Sequence, residues 1–519
     1  MNALTKPRIR MRAGEYARYE TASTALQMAT WAATGGDADA VEYEREILVR
    51  RCWDLYRNNP LATGAVDTVV DNVIGTGLRM QCRLDADRLG ISQAKADEWE
   101  SETEARFEMW ATRPDECDLE ARLTFAEHQR LALTTALCAG DGLLNLPALR
   151  RPGLMHSTKI QAIDPDRLSN PYAALDTTRL TAGVERDAHG APMRYHVTYA
   201  HPDSNKVDAA VMRWMALPAR GRRWGRRNVV HLFRPLRPGQ SRGVPFLAPV
   251  GGKLKQLDRY TDAEIVAAVV SGLFAVFIET EDGEGLGHGE DDEAQAALQA
   301  SPSLAKEQVT RMTPGMVADL AKGEKVHSVN PGRPNGNFGG FFEAIAVQIG
   351  AGTGIPLELL LKHFRRSYSA SRGARLEANR MFMSRRGWIA GAMCQPIYET
   401  WLMEQIATGR IDAPGFFTDP ARRAMWSRAD WVGPATGLLD PVKEIQAEFL
   451  AFELTATSLS DICQRLYGQS HEVVVHRIAR ERRLLDRQGV PIPSRGNQEE
   501  DLIAPTDMPG ADDDGGDED

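Results

Sequence analysis

Between residues 60 and 77 apolar positions recur at the helical interval. Val66, Val69, Val70, Val73 and Ile74 stand at i, i+3, i+4, i+7 and i+8, one apolar face of a helix. Pro60 suits its first turn, and Gly75 and Gly77 suit its end. Residues 41–57 predict a helix just before it. Thr124 and Glu127, three positions apart, form a capping box that opens a helix over residues 125–139, closed by Gly140. From about 143 to 233 the period changes. Short apolar runs at 143–149, 159–163, 195–199 and 229–233 alternate with Pro, Asp, Gly and Asn, the pattern of strands and turns. Helical patterning returns from about Pro245 to Phe274. Strand-like pieces follow around Val317 and 326–329, then a Gly/Pro/Asn stretch at 330–340. Residues 341–350 predict a helix that Gly350, Gly352 and Gly354 break. The longest helical stretch, about 369–406, begins with serines suited to capping and should kink at Pro396. A last helical block covers 440–488, and no internal repeat is visible. The fold class is mixed α/β.

A chain of 519 residues holds two to four domains. With 43% hydrophobic and 26% charged residues it reads as a soluble globular chain. A formal net charge of −9 excludes a molecule that is basic overall and coats nucleic acid. The six cysteines (52, 82, 117, 138, 394, 463) include no C-x-x-C pair, which argues against a disulfide framework or zinc site and fits a reducing cytosol. The N-terminus carries Lys6, Arg8, Arg10 and Arg12 and lacks the apolar core of a signal peptide. The most apolar window, 265–278, has 14 uncharged residues, fewer than the roughly 20 that cross a bilayer, and reads as a buried helix.

Several motifs suggest catalysis and fail on physical grounds. Gly239 to Gly243 spell G-x-S-x-G, the hydrolase nucleophile-elbow pattern, with Ser241 as its serine. An elbow needs a strand running straight into the serine and a helix leaving it. Here Pro235 and Pro238 separate Ser241 from the preceding apolar run, and Pro245 and Pro249 follow. Proline fixes φ and extends the residue before it, so this stretch reads as a rigid linker that docks and then starts a helix. No phosphate-binding loop G-x-x-x-x-G-K-[ST] occurs. HEVVVH (471–476) spaces its histidines i and i+5, about 140° apart on a helix, so they cannot share a metal. No cofactor is implied.

Three charged clusters remain. Residues 220–227 place Arg220, Arg222, Arg223, Arg226 and Arg227 around Trp224, a pattern that could pair with phosphates and stack on bases. The plainer reading, which we favour, is a surface turn between two strands or a patch meeting an acidic neighbouring subunit. Lys362, His363, Arg365, Arg366 and Arg372, with Tyr368, lie between two helices after hinge glycines, where they could touch a polyanion. Glu281, Asp282, Glu284, Glu290, Asp291, Asp292 and Glu293 crowd a Gly-rich segment without Lys or Arg, which reads as a solvated loop. The tail ADDDGGDED (511–519) is disordered by composition.

The stretch RPLRPGQSRGVPFLAPV (234–250) resembles the RPGQ-x-RGVP-x-LAPV signature of the lambda-type bacteriophage portal proteins. The resemblance runs from about 45 to 490, through RNNPLATGAV (57–66), DNVIGTGL (71–78), MTPGMVADLAKGEKV (312–326), GTGIPLELL (352–360), YSASR (368–372), WVGP (431–434) and DPVKE (440–444). Their common order makes it specific. It implies a dodecameric ring at the capsid vertex of the virion, assembled in the host cytoplasm, with double-stranded DNA passing through its channel. It implies docking of the terminase large subunit and head–tail adaptor or completion proteins, and contact with major capsid and scaffold proteins, without membrane.

The implied fold has an α/β wing, a helical stem, a small α/β clip and a helical crown. By motif order these are a flexible arm (1–40), the wing (41–243 and 373–436), a stem helix (244–274), the clip (275–337) and a second stem helix (338–354). The tunnel loop (355–372), the crown (437–490) and the acidic tail (491–519) complete it. The basic loop residues then become channel contacts with DNA, and the acidic cluster becomes the clip's docking surface. One departure stands out. The family favours Asp and Asn before Y-S-x-[SA]-R, whereas this chain reads KHFRRSYSASR, so the loop's charge is its own. The competing expectations are a phage-encoded serine hydrolase built on Ser241 and a minor head or scaffold component without a channel.

Overall fold

The computed structural model describes residues 38–39, 42–204, 213–272, 277–278, 318–319, 337–363, 368–435 and 441–488. The chain divides into two compact units, one of residues 1–68, 118–120 and 131–363, the other of 69–117, 121–130 and 364–519. In chain order the elements run α1 (Glu42–Asn58), α2 (Pro60–Val73), β1 (Arg79–Cys82), α3 (Ala86–Leu89), α4 (Gln93–Ala111), α5 (Pro114–Cys117) and α6 (Phe125–Ala139). Then come β2 (Asp141–Asn145), β3 (Gln161–Ile163), β4 (Leu180–Thr181), β5 (Val184–Arg186), β6 (Pro192–Thr198), β7 (Trp214–Pro218) and β8 (Val229–Phe233). They are followed by α7 (Gly251–Gly272), β9 (Phe277–Ile278), β10 (Ala318–Asp319), α8 (Phe338–Thr353), α9 (Leu357–Leu360), α10 (Tyr368–Ile389) and α11 (Gln395–Ala407). The last elements are α12 (Pro420–Trp426), β11 (Ala429–Val432), α13 (Pro441–Glu453), α14 (Leu459–Ile462) and α15 (His471–Gln488). The class is mixed helix and sheet, as the periodicity predicts. Among the described residues, no helix is long and apolar enough to cross a membrane.

In the first unit two antiparallel sheets share one core. One has the order β3-β2-β8, the other β4-β5-β6-β7. Leu143, Ile163, Val184, Val197 and Leu217 are buried in a single cluster drawn from both. Helix α6 feeds the central strand β2. Its cap forms as the sequence dictates: the Thr124 amide donates to Glu127 at 2.7 Å, and the Glu127 amide donates to the Thr124 hydroxyl at 3.3 Å. Gly140, at φ +90°, turns the chain from helix into strand.

In the second unit β1 pairs antiparallel with β11, from Arg79 opposite Val432 to Cys82 opposite Ala429. Around this ribbon Phe107 makes edge contacts with Phe125, Tyr398, Trp401 and Trp431 at centroid distances of 5.2–6.1 Å.

The structure corrects several expectations. Helix α7 starts at Gly251, because Pro245 and Leu247 accept tight-turn bonds from Ala248 and Val250. Gly350 and Gly352 lie inside α8 and permit close packing, and only Gly354, at φ +73°, ends the helix. At Pro396 the departure from regular helix takes the form of a π turn. The chain widens into a π-helical turn at Ala390–Cys394, directly before Pro396, and the helix runs on through it into α11 without a break. Ser369 lies within α10, one residue after its start. Strands β4, β5 and β7 have no counterpart in the sequence reading. The apolar window expected to be buried is exposed in part. Ile265, Val266 and Val269 keep 57%, 61% and 57% of their surface open.

Candidate functional site

The signature stretch is a clamp. Arg242 is only 2% exposed, yet its guanidinium meets five oxygens. It donates to the carbonyls of Pro165 (2.8 Å), Leu168 (3.0 Å) and Ala182 (3.1 Å) and twice to the Asp141 carboxylate. Asp141 also accepts from Arg45 at 2.7 Å and bonds His231 Nε2 at 2.9 Å. Burial alone would raise the Asp141 carboxyl. The two guanidiniums and the His231 bond outweigh it and hold Asp141 well below the ordinary range. Burial in turn pushes His231 down, so its neutral form is favoured. Arg45 reaches on from α1 to the carbonyls of Gly243 (2.8 Å) and Ala139 (3.0 Å).

The glycines of the clamp have a steric reason. A Cβ on Gly243 would fall well inside contact with the Gly140 carbonyl oxygen, so no larger residue lets the two backbones approach. Gln240 accepts from the Leu236 amide at 2.8 Å and donates to the Arg242 carbonyl at 2.7 Å. Ser241 is 4% exposed, and both its amide and its hydroxyl donate to Asp39 at 2.6 Å. Strand β8 ends at Phe233 and α7 starts at Gly251, so no strand leads into the serine and no helix leaves it. The arrangement positions a chain and offers no exposed hydroxyl.

Beyond the clamp, α7 and α8 lie side by side. Near the clamp Leu254, Leu257, Ala346 and Ile349 are buried. Val250 and Gly352 touch closely enough that a Cβ on the glycine would clash. Farther along, Tyr260 stacks on Phe338 at 5.7 Å and meets Phe341 at 4.9 Å. There Ile265, Val266, Val269 and Phe341 turn outward, and nearer the clamp so does Val347.

The basic loop follows α8. Gly354 turns left-handed, α9 makes one turn, and the His363 amide donates to the Glu358 carbonyl at 3.0 Å. Lys362 holds a left-handed φ of +52°, uncommon for a residue with a side chain. Lys362 and His363 are exposed together, and Arg372 is exposed on α10. Tyr368 opens α10, while Arg365 and Arg366 lie outside the described residues. The acidic cluster from Glu281 to Glu293 also lies outside them.

The arginine-rich stretch is a turn between β7 and β8. Arg220 and Arg227 bridge its base, and Arg222, Arg223 and Trp224 stand exposed at its tip. The Arg223 guanidinium covers the Trp224 ring at 4.4 Å. His471 and His476 sit on α15, as a helix reading of HEVVVH requires. Asp164, Asp166 and His201 bring ligand atoms within 4.8 Å of one another, a grouping that sequence spacing does not reveal. The six cysteines are free thiols, and all but Cys463 are buried. The clamp itself escaped sequence reading, because its charged members come from positions 45, 141, 231 and 242. A buried charge network has no local signature.

Residues 24–386 match the model of the phage portal protein, lambda family. Portal protein B of Escherichia phage lambda is 25% identical over 454 residues, 82% of each chain. The portal protein of Escherichia phage N15 is 25% identical over 483 residues, 89% of this chain and 90% of its own. Among solved structures, a chain in the neck of an empty gene transfer agent (GTA) particle computed with C6 symmetry aligns with a TM-score of 0.42 and 13% identity. It covers 84% of this chain and 96% of that one. A chain in the neck of a native particle computed with C12 symmetry gives 0.37 and 14%, covering 73% and 93%. The family match spans well over half of the residues, and the chain belongs to the lambda family of phage portal proteins.

Proposed function

We propose that twelve copies of this chain close into a ring at one vertex of a phage head, around a channel that duplex DNA enters during packaging and leaves on ejection. The observation that carries the ring is the outward face of α7 and α8. Isolated soluble chains keep contiguous apolar surface small, and a helix pair apolar on its outer side is completed by copies of itself. Helix α13 supports the same reading. Among its described residues none is buried, and Val442, Ile445, Phe449 and Leu450 are exposed.

In this reading 41–243 and 373–436 form the wing, 244–274 and 338–354 the stem, 275–337 the clip and 437–490 the crown. The loop at 355–372 faces the channel, where Lys362 and His363, with Arg365, Arg366, Tyr368 and Arg372, meet DNA phosphates. Twelve copies at −9 each make a ring of DNA's own sign, which disfavours tight adhesion, while the loops supply local, salt-sensitive grip. The acidic segment around Glu281 to Glu293 presents the docking surface for terminase and adaptor. The role is structural. Ser241, bound to Asp39 and buried, performs no hydrolysis. Negative-stain microscopy of the purified chain tests the ring: annular particles with an open centre are expected, and compact particles without a hole would refute it.

A further inference from the structure

The arginine-rich turn borders a cavity that the portal reading does not use. The cavity holds about 730 Å³ within the first unit. Tyr195, His231 and Phe233 line its floor, with ring centroids 5.4 Å apart between Tyr195 and His231 and 4.7 Å between His231 and Phe233. Arg227 and Arg237 stand on its rim, and Leu236, 73% exposed, overhangs it from the proline-rich side. Burial pushes the Tyr195 hydroxyl up to about 12, although Arg227 and Arg220 act on it in the opposite sense. The positive field thus reaches the cavity floor. Outside the cavity the turn carries Arg222 and Arg223. Among the described residues no carboxylate pairs with either.

A surface with exposed arginines around an apolar-floored cavity selects an occupant that is acidic and carries a few apolar side chains. This chain contains such a segment. Residues 499–519 hold ten Asp and Glu, no Lys or Arg, and Leu502, Ile503 and Met508. Residues 489–519, which follow the last described residue, Gln488, number 31 and span up to roughly 100 Å when fully extended, a long tether for the acidic segment at their end. We infer that the turn at 220–227 and the adjoining cavity form a dock for the acidic segment 499–519 of a second copy of this chain. Carboxylates meet Arg222, Arg223 and Arg227, and the apolar side chains of the segment settle against Phe233 and Leu236. This rests on the ring reading only in requiring another copy nearby.

Two measurements test it, and the first works whether or not a ring forms. A fluorescein-labelled peptide of residues 499–519 is titrated by anisotropy against the chain shortened to residue 498, which keeps every described residue. Saturable binding is expected, weakened about tenfold by R222E with R223E and similarly by 0.5 M salt. Absent binding, or binding that the double variant leaves unchanged, overturns the dock. In the second, Trp224 of the full chain is replaced by p-benzoylphenylalanine and isotopically light and heavy copies are mixed before irradiation. Crosslinks joining position 224 of one copy to residues 499–519 of another are expected. Crosslinks elsewhere in assembled rings, or to added duplex DNA in place of the segment, would contradict it. If no ring assembles at all, the ring reading fails while the peptide titration still decides the dock.

Discussion

The clamp around Asp141 and the outer half of the α7–α8 pair treat their side chains in opposite ways. In the clamp, charged groups point inward. Arg45, Arg242 and His231 converge on one fully buried carboxylate, and three backbone carbonyls take the remaining Arg242 donors. In the helix pair, apolar groups point outward: Ile265, Val266 and Val269 lie open beyond the buried Leu254 and Leu257. A buried charge network fixes one arrangement of distant segments and finishes a fold. An open apolar face marks where a fold is finished only by another molecule. The signature RPGQSRGVP belongs to the first kind: its Arg242 and Gly243 fix the path of the chain.

The largest expected effect breaks the first side of this comparison. D141N removes the charge that both guanidiniums were buried against, which costs about 3–5 kcal/mol. Denaturant unfolding should show it, or the chain should accumulate insoluble. G243A comes next, at about 1–3 kcal/mol, because the added methyl meets the Gly140 backbone rather than a yielding side chain. The same unfolding experiment measures it, and an unchanged midpoint would refute the close approach.

Acidity sharpens a second contrast, between the two units. In the first, Asp141 is held below its ordinary range and neutral His231 is favoured by burial. The unfolded chain therefore takes up protons that the folded unit refuses, and stability falls as pH drops below about 6.5, and again below about 4. In the second unit burial, with Glu100 and Glu472 nearby, raises Glu104 to about 7 despite the hydrogen bond from the Cys82 amide. Here the folded state holds the extra proton, so stability rises as pH falls from about 7 toward 4.5. Hydrogen exchange at pH 7.5 and 5.5, corrected for intrinsic rates, should move the two units in opposite directions. E104Q should flatten the response of the second unit alone. The smallest expected effect is K362A, which leaves folding unchanged and lowers the salt dependence of DNA retention in packaged particles.

What the sequence made legible was local. The capping box at Thr124 and Glu127 needs only residues three apart, and helix α6 has the predicted bounds. The apolar face from Val66 to Ile74 is buried as its period requires. Strands β4, β5 and β7 were not legible, since short runs such as Leu180–Thr181 are held by cross-strand partners rather than by their own pattern. Gly350 and Gly352 misled for a related reason. Their role is to let Ile355 and Val250 approach, which no single segment shows. The basic residues Lys362 and His363 follow α8 and α9 and are exposed, as their place between two helices suggests.

In the proposed ring the outward face of α7 joins one copy to the next. Mass photometry of the purified wild-type chain and of a V266D/V269D double variant tests it directly. The wild type should form particles near twelve times the 57.3 kDa of one chain. The variant should stay monomeric with unfolding within about 0.5 kcal/mol of the wild-type monomer, since the substituted positions are exposed there. A wild-type chain that remains monomeric at micromolar concentration, or a variant that assembles undiminished, would contradict the claim that this face joins one copy to the next.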